Sequence, residues 1–140
     1  MLLREPDTPE ADVDYLLKRL EQRRRGVLKD LGSRQMGAVM DRKAMAAGRY
    51  DRYEAVFFLC GPDAEGDGSL PAGKYLSLIH AGGYGALGKS YRALYAAAKA
   101  RGLRPLDTPV ELYLVDVHDT GREEEFRTEL QMPVEEEKSR

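Results

Sequence analysis

Residues 74–102 read KYLSLIHAGGYGALGKSYRALYAAAKARG, and this stretch decides the fold. Lys74 to His80 alternates in the manner of a strand with one covered face. Gly82-Gly83 interrupts it. Leu87, Tyr91, Leu94, Tyr95 and Ala98 then recur at helical spacing, so one stripe of the following helix is apolar, and Gly102 is its stop. Towards the C-terminus, Asp107-Thr108-Pro109 is a turn and Val110–Val117 a strand. His118–Glu125 is an acidic loop, and Phe126–Val134 is a last strand. Residues 135–140 read as a charged, frayed tail.

The same order recurs towards the N-terminus. Met1–Glu5 is a short strand broken by Pro6-Asp7-Thr8-Pro9. Thr8 followed by Pro9 gives a helix start, a capping hydroxyl before a proline at the first helical position. Val13, Leu16, Leu17, Leu20, Val27, Leu28 and Leu31 line one side of a helix over residues 9–31, ended by Gly32. Met36–Met40 is a short apolar run, Arg42–Arg52 a turn and loop, and Glu54–Cys60 a buried strand rich in aromatic and β-branched residues. Residues 61–68 form a loop. Each half thus runs strand, helix, strand, strand.

A duplicated unit of this kind joins its strands into one sheet. The expected class is α+β: a duplicated strand-helix-strand-strand module, with an antiparallel sheet, two amphipathic helices on one face and a ligand pocket on the other. One domain spans residues 1–134, with modules at about 1–60 and 73–134.

The chain has 140 residues and a net charge of −2, without the basic excess of a nucleic-acid binder. Arg23-Arg24-Arg25 reads as a solvated helix face. Cys60 is the single cysteine, so an intrachain disulfide is excluded and a reducing compartment fits. With only His80 and His118 as histidines, no zinc-type spacing arises and no metal or cofactor is expected. No run approaches the ~20 apolar residues of a membrane span, and Met1–Pro6 lacks a signal-peptide core. The expected setting is cytoplasmic, away from membranes.

Glu111 shares a strand face with Tyr113 and alternates with Leu112 and Leu114. A carboxylate within a mostly apolar strand is costly to bury unless something pairs with it. It is therefore either a solvated or ion-paired glutamate, or the counter-ion of a cationic ligand with aromatic rings around it. Tyr91 and Tyr95 lie on the helix stripe and read as core.

The run LPAGKYLSLIHAGGY (residues 70–84), the helix of residues 85–102, PVELYL (109–114) and TELQMPV (128–134) together resemble the GyrI-like domain. Upstream, GAVM (37–40) and GRYDRYEAVFF (48–58) resemble its first module. This is the C-terminal effector-binding module of MerR-type multidrug-sensing activators. The resemblance implies a small apolar or cationic ligand, a pocket glutamate at Glu111, an aromatic wall at Phe126 on the last strand, and a second at Tyr84. Tyr113 is a further candidate from its parity, and Tyr53 and Phe57 are first-module candidates. The winged helix-turn-helix and linker helix of those activators have no counterpart here. The chain is thus expected to be either a fragment or a free-standing relative that makes no DNA contact itself. A homodimer enters only if it is attached to a DNA-binding half. Two alternatives follow from the same resemblance: a hydrolase of reactive small molecules, with Glu111 as base and Tyr113 or Tyr84 as proton donor, and a protein-binding, inhibitor-type module.

Overall fold

A computed structural model describes residues 2–9, 13, 16, 17, 19, 36–59, 73–116 and 120–137. Their elements are β1 (Leu2–Pro9), β2 (Met36–Met40), α1 (Arg42–Ala46), β3 (Arg52–Phe58), β4 (Tyr75–Ala81), α2 (Leu87–Ala100), β5 (Leu103–Pro105), β6 (Val110–Val115) and β7 (Arg127–Glu136). Short 3-10 turns cover Tyr84–Ala86 and Glu123–Glu125. The strands form one antiparallel sheet in the order β1-β3-β2-β6-β7-β4, with β5 paired to the far end of β7. That order is the same read from either end of the duplication: β1, β3 and β2 of the first module mirror β4, β7 and β6 of the second. The expected α+β architecture is therefore the observed one.

The helices pack on one face. Leu87, Tyr91, Leu94 and Ala98 of α2 are buried at the spacing of the stripe. They share a core with Val13, Leu16 and Leu17, which are helical, and with Tyr53, Val56, Leu130 and Met132 of the sheet. Burial of a leucine-sized side chain is worth about 1.5–3 kcal/mol. Packing of this stripe, more than helix propensity, therefore holds α2 in place. No helix among the described residues is long and apolar enough to cross a membrane.

The first module departs from expectation in three places. Thr8 and Pro9 lie in β1, opposite Tyr53 and Arg52, not at a helix start. The expected break at Pro6 instead appears as a ladder irregularity between Arg4 and Thr8. A proline, which has no N–H to give, is tolerated where pairing lapses. The stretch expected as loop holds α1, whose first turn is capped by Asp41: its Oδ2 accepts from the Ala44 N–H at 3.1 Å.

In the second module, β5 is an additional strand. Its pairing carries β7 on to Glu136, so the tail expected from residue 135 begins later. Arg104 pairs with Glu135 and Lys74 with Glu136 across these edges. Most of the expected helix of residues 9–31, together with Arg23–Arg25, Cys60, the 61–68 loop and His118, lies outside the described residues.

A bulge decides which side chains of β3 face the helices. Val39 pairs with Ala55, but Met40 pairs with Tyr53, so Glu54 is an extra residue. In an unbroken strand Tyr53 and Phe57 would share a face. The bulge reverses the parity. Tyr53 joins Val56 and Phe58 on the helix side, while Phe57 packs with Val110 and Leu112 on the other. There its ring lies across Gly37, its register partner, filling the space a Cβ would occupy.

Candidate functional site

Glu111 sits on β6, at the junction of the two modules. Its neighbour across β2 is Ala38 and across β7 is Leu130. Its side chain points into the helix-side core with an exposure of 0%. The solvated alternative is thereby excluded. Its two oxygens accept from three tyrosine hydroxyls. Tyr53 Oη lies 3.0 Å from each oxygen, Tyr113 Oη 3.0 Å from Oε1, and Tyr91 Oη donates to Oε2. These donors come from β3, β6 and α2.

Tyr91 and Tyr113 are held well above the ordinary tyrosine range, first by burial and then by the negative charge of Glu111. Both effects disfavour a phenolate. The hydroxyls therefore keep their protons and act as fixed donors to a carboxylate, which only accepts.

A second aromatic group adjoins this one. Tyr84 meets Tyr113 edge-on at 5.9 Å and 70°, and lies against Phe126 at 5.5 Å and 30°. The strand-to-helix junction holds this group in place. Gly82, at φ 103°, donates its N–H to the Phe126 carbonyl at 2.9 Å, which brings Tyr84 and Phe126 together. His80 braces the same turn. Its Nε2 donates to the Gly83 carbonyl at 2.9 Å, and its Nδ1 is 2.6 Å from Ser90 Oγ. Thr128, the register partner of Tyr113, has a buried hydroxyl with no hydrogen-bond partner among the described residues.

Five of the six residues singled out from the sequence thus converge: Glu111, Tyr113 and Tyr53 through hydrogen bonds, Tyr84 and Phe126 through ring contacts. Phe57 does not join them, because the Glu54 bulge turns it to the opposite face. The pocket was expected on the face away from the helices. Glu111 and its aromatic neighbours instead face the helices, since the parity of β6 puts Glu111 and Tyr113 with the core while Val110 and Leu112 look the other way. A cleft of about 500 Å³ opens nearby between α1, Tyr95 of α2 and residues 105–108. Tyr50 in its wall stacks on Tyr91 at 5.6 Å and 12°.

The GyrI-like small molecule binding domain matches residues 5–135. The chain belongs to the GyrI-like family. Solved structures share the GyrI-like fold seen here. EcmrR in its cryo-EM complex with DNA aligns with a TM-score of 0.67 at 18% identity, over 97% of this chain and 57% of that one. This chain therefore spans little more than half of that protein. The crystal structure of the EcmrR C-terminal domain aligns at 0.66 and 19% identity, over 96% and 88% of the two chains. An uncharacterized conserved protein from Listeria innocua aligns at 0.62 and 14%, over 96% and 86%. A search of curated proteins gave no match.

Around Glu111, the sequence places Tyr91 in the core and nothing more. It is core, with no exposure, but its hydroxyl reaches Glu111. The helix stripe was the available signal, since α2 sets its buried face opposite β6, but a stripe does not tell which of its members meets a carboxylate. Among the described residues, no group of three or more His, Cys, Asp or Glu side chains is placed to hold a metal ion.

Proposed function

We propose that this chain is a ligand-sensing module that holds an amphipathic cation against Glu111, as the effector-binding part of a MerR-type multidrug-sensing regulator acting in the cytoplasm. DNA recognition then belongs to another segment or partner. The observation that carries the reading is a fully buried glutamate whose oxygens are met by three tyrosine hydroxyls from three elements. Burying a carboxylate is expensive, and replacing it with apolar packing is often stabilising. Its presence is explained if its charge is put to use. A cation entering this site exchanges hydroxyl dipoles for a full opposite charge in a low-dielectric setting. Tyr84, Tyr113 and Phe126 supply ring faces for cation–π attraction and shape-tolerant apolar contact. The orphan hydroxyl of Thr128 supports a ligand that also carries a hydrogen-bonding group.

Binding is favoured over hydrolysis for a physical reason. Proton transfer is efficient when a group's pKa lies near the working pH. Tyr91 and Tyr113 are moved away from it, which suits them to hold Glu111 as fixed donors.

The test is a titration with thioflavin T, a flat cation whose fluorescence rises when its internal rotation is arrested. Glu111→Gln keeps the shape and removes the charge. It should weaken binding by about 1.5–3 kcal/mol, the worth of a charge-assisted contact, or roughly tenfold to a hundredfold. Equal affinity in wild type and Glu111→Gln, with unchanged circular dichroism, would refute the role of Glu111.

A further inference from the structure

A fully buried carboxylate raises the question of how a ligand reaches it. The 500 Å³ cleft does not contain Glu111, but its wall lies two contacts away. Tyr50, half-buried in that wall, lies flat on Tyr91, and Tyr91 donates to Glu111. The cleft is lined by aromatic and apolar surface from Tyr50, Tyr95, Met45 and Leu106, and Leu106 is 55% exposed. Arg42 and Asp107 pair at 2.9 Å on the same lining. Both are exposed, so water screens the pair and it closes nothing firmly.

Tyr50 is suited to moving. It stands in the connection between α1 and β3, and its ring makes no hydrogen bond to a described residue. Its neighbour Tyr91 is fixed from the other side by Glu111.

We infer that this cleft is the first binding site for a flat aromatic cation on its way to Glu111, and that Tyr50 is the ring the ligand displaces. The inference rests on the proposed cation-binding role of Glu111. In the free protein Tyr50 occupies the stacking position on Tyr91. A flat aromatic ring presents the same face, so it takes over that stack with little loss, and its charge then lies beside the Tyr91–Glu111 pair. The site thereby selects flat ligands over globular ones, because a stack of this kind accepts only a plane.

Stopped-flow mixing of the full chain with thioflavin T tests this. Tyr50→Ala removes the covering ring and should raise the association rate about tenfold, the scale by which a covering element limits access. Ala46→Trp, at an exposed position in the cleft lining, plugs the way in. It should slow association and dissociation together by about tenfold, leaving Kd nearly unchanged. If Tyr50→Ala does not fold by circular dichroism, the Ala46→Trp rates decide alone. Rates within about twofold of wild type in Ala46→Trp, with binding still weakened in Glu111→Gln, overturn the route and leave the Glu111 reading standing. A wild-type protein that binds no dye overturns both.

Discussion

The three hydroxyls around Glu111 make a quantitative prediction about Tyr91. Tyr91→Phe keeps the ring, its place in the core and its stack on Tyr50, and removes only the donor to Oε2. Oε2 then retains Tyr53 at 3.0 Å. A hydrogen bond to a charged acceptor contributes about 1.5–3 kcal/mol, and one between neutral groups about 0.5–1.5 kcal/mol. Tyr91→Phe should therefore cost about 2 kcal/mol in the wild type, and about 1 kcal/mol in a Glu111→Gln background, where the acceptor is neutral. The coupling between the two substitutions is then about 1 kcal/mol, above the ~0.3–0.5 kcal/mol scatter of independent sites. Urea unfolding of the four proteins, followed by far-ultraviolet circular dichroism, reads this directly. With a urea slope near 2 kcal/mol/M, Tyr91→Phe lowers the wild-type midpoint by about 1 M. A Tyr91→Phe protein as stable as wild type, or two effects that simply add, would show that the Tyr91 hydroxyl does not serve the charge of Glu111.

Two further perturbations follow. Tyr91 and Tyr113 hold their protons above the pH at which an unfolded tyrosine gives its own up. Their contribution is fully present below about pH 10 and is lost as pH rises beyond it, at about 1.4 kcal/mol per pH unit for each tyrosine. Urea midpoints between pH 9 and 11 should fall with a shallower slope in Tyr91→Phe than in wild type, and equal slopes would refute the assignment. Gly37→Ala drives a Cβ into both the Glu111 carbonyl and the Phe57 ring, well inside van der Waals contact. The loss should be about 1–3 kcal/mol. Trimming Phe57 does not restore it, because the clash with backbone remains. A thermal midpoint equal to that of wild type would show that β2 shifts freely at this point.

Much of the second module was legible because its signals are local. The alternation of residues 74–80, the stripe from Leu87 to Ala98 and the parity of Glu111 with Tyr113 all depend on near neighbours in the chain. The features that were not legible depend on partners distant in sequence. Nothing within Arg52–Phe58 announces that Glu54 is extra. Only pairing with β1 and β2 exposes the bulge, and with it the separation of Tyr53 from Phe57. Similarly, Leu103-Arg104-Pro105 is too short to read as a strand until the end of β7 lies beside it. Tyr91 resembled any other stripe residue because its partner is 20 positions away on a strand of different period. The short helix α1 had a local signal, Asp41 before a run of good helix formers, but Gly48 and the flanking polar residues masked it.

The position of Glu111 on the β2–β6 junction has a consequence for how the protein comes to exist. β1, β2 and β3 pair among themselves within the first 58 residues, and β4, β6 and β7 within the second half, whereas Ala38 must find Glu111 across the whole intervening chain. The joint between the halves closes a longer stretch of chain than the pairings within either half. The donors are divided in the same way: Tyr53 arrives with one half, Tyr91 and Tyr113 with the other. Neither half by itself contains the ring of hydroxyls, so the ring is assembled only when the halves meet. A newly made chain thus has no ring of hydroxyls around Glu111 until its last joint has closed, so the ring marks a chain that has finished folding.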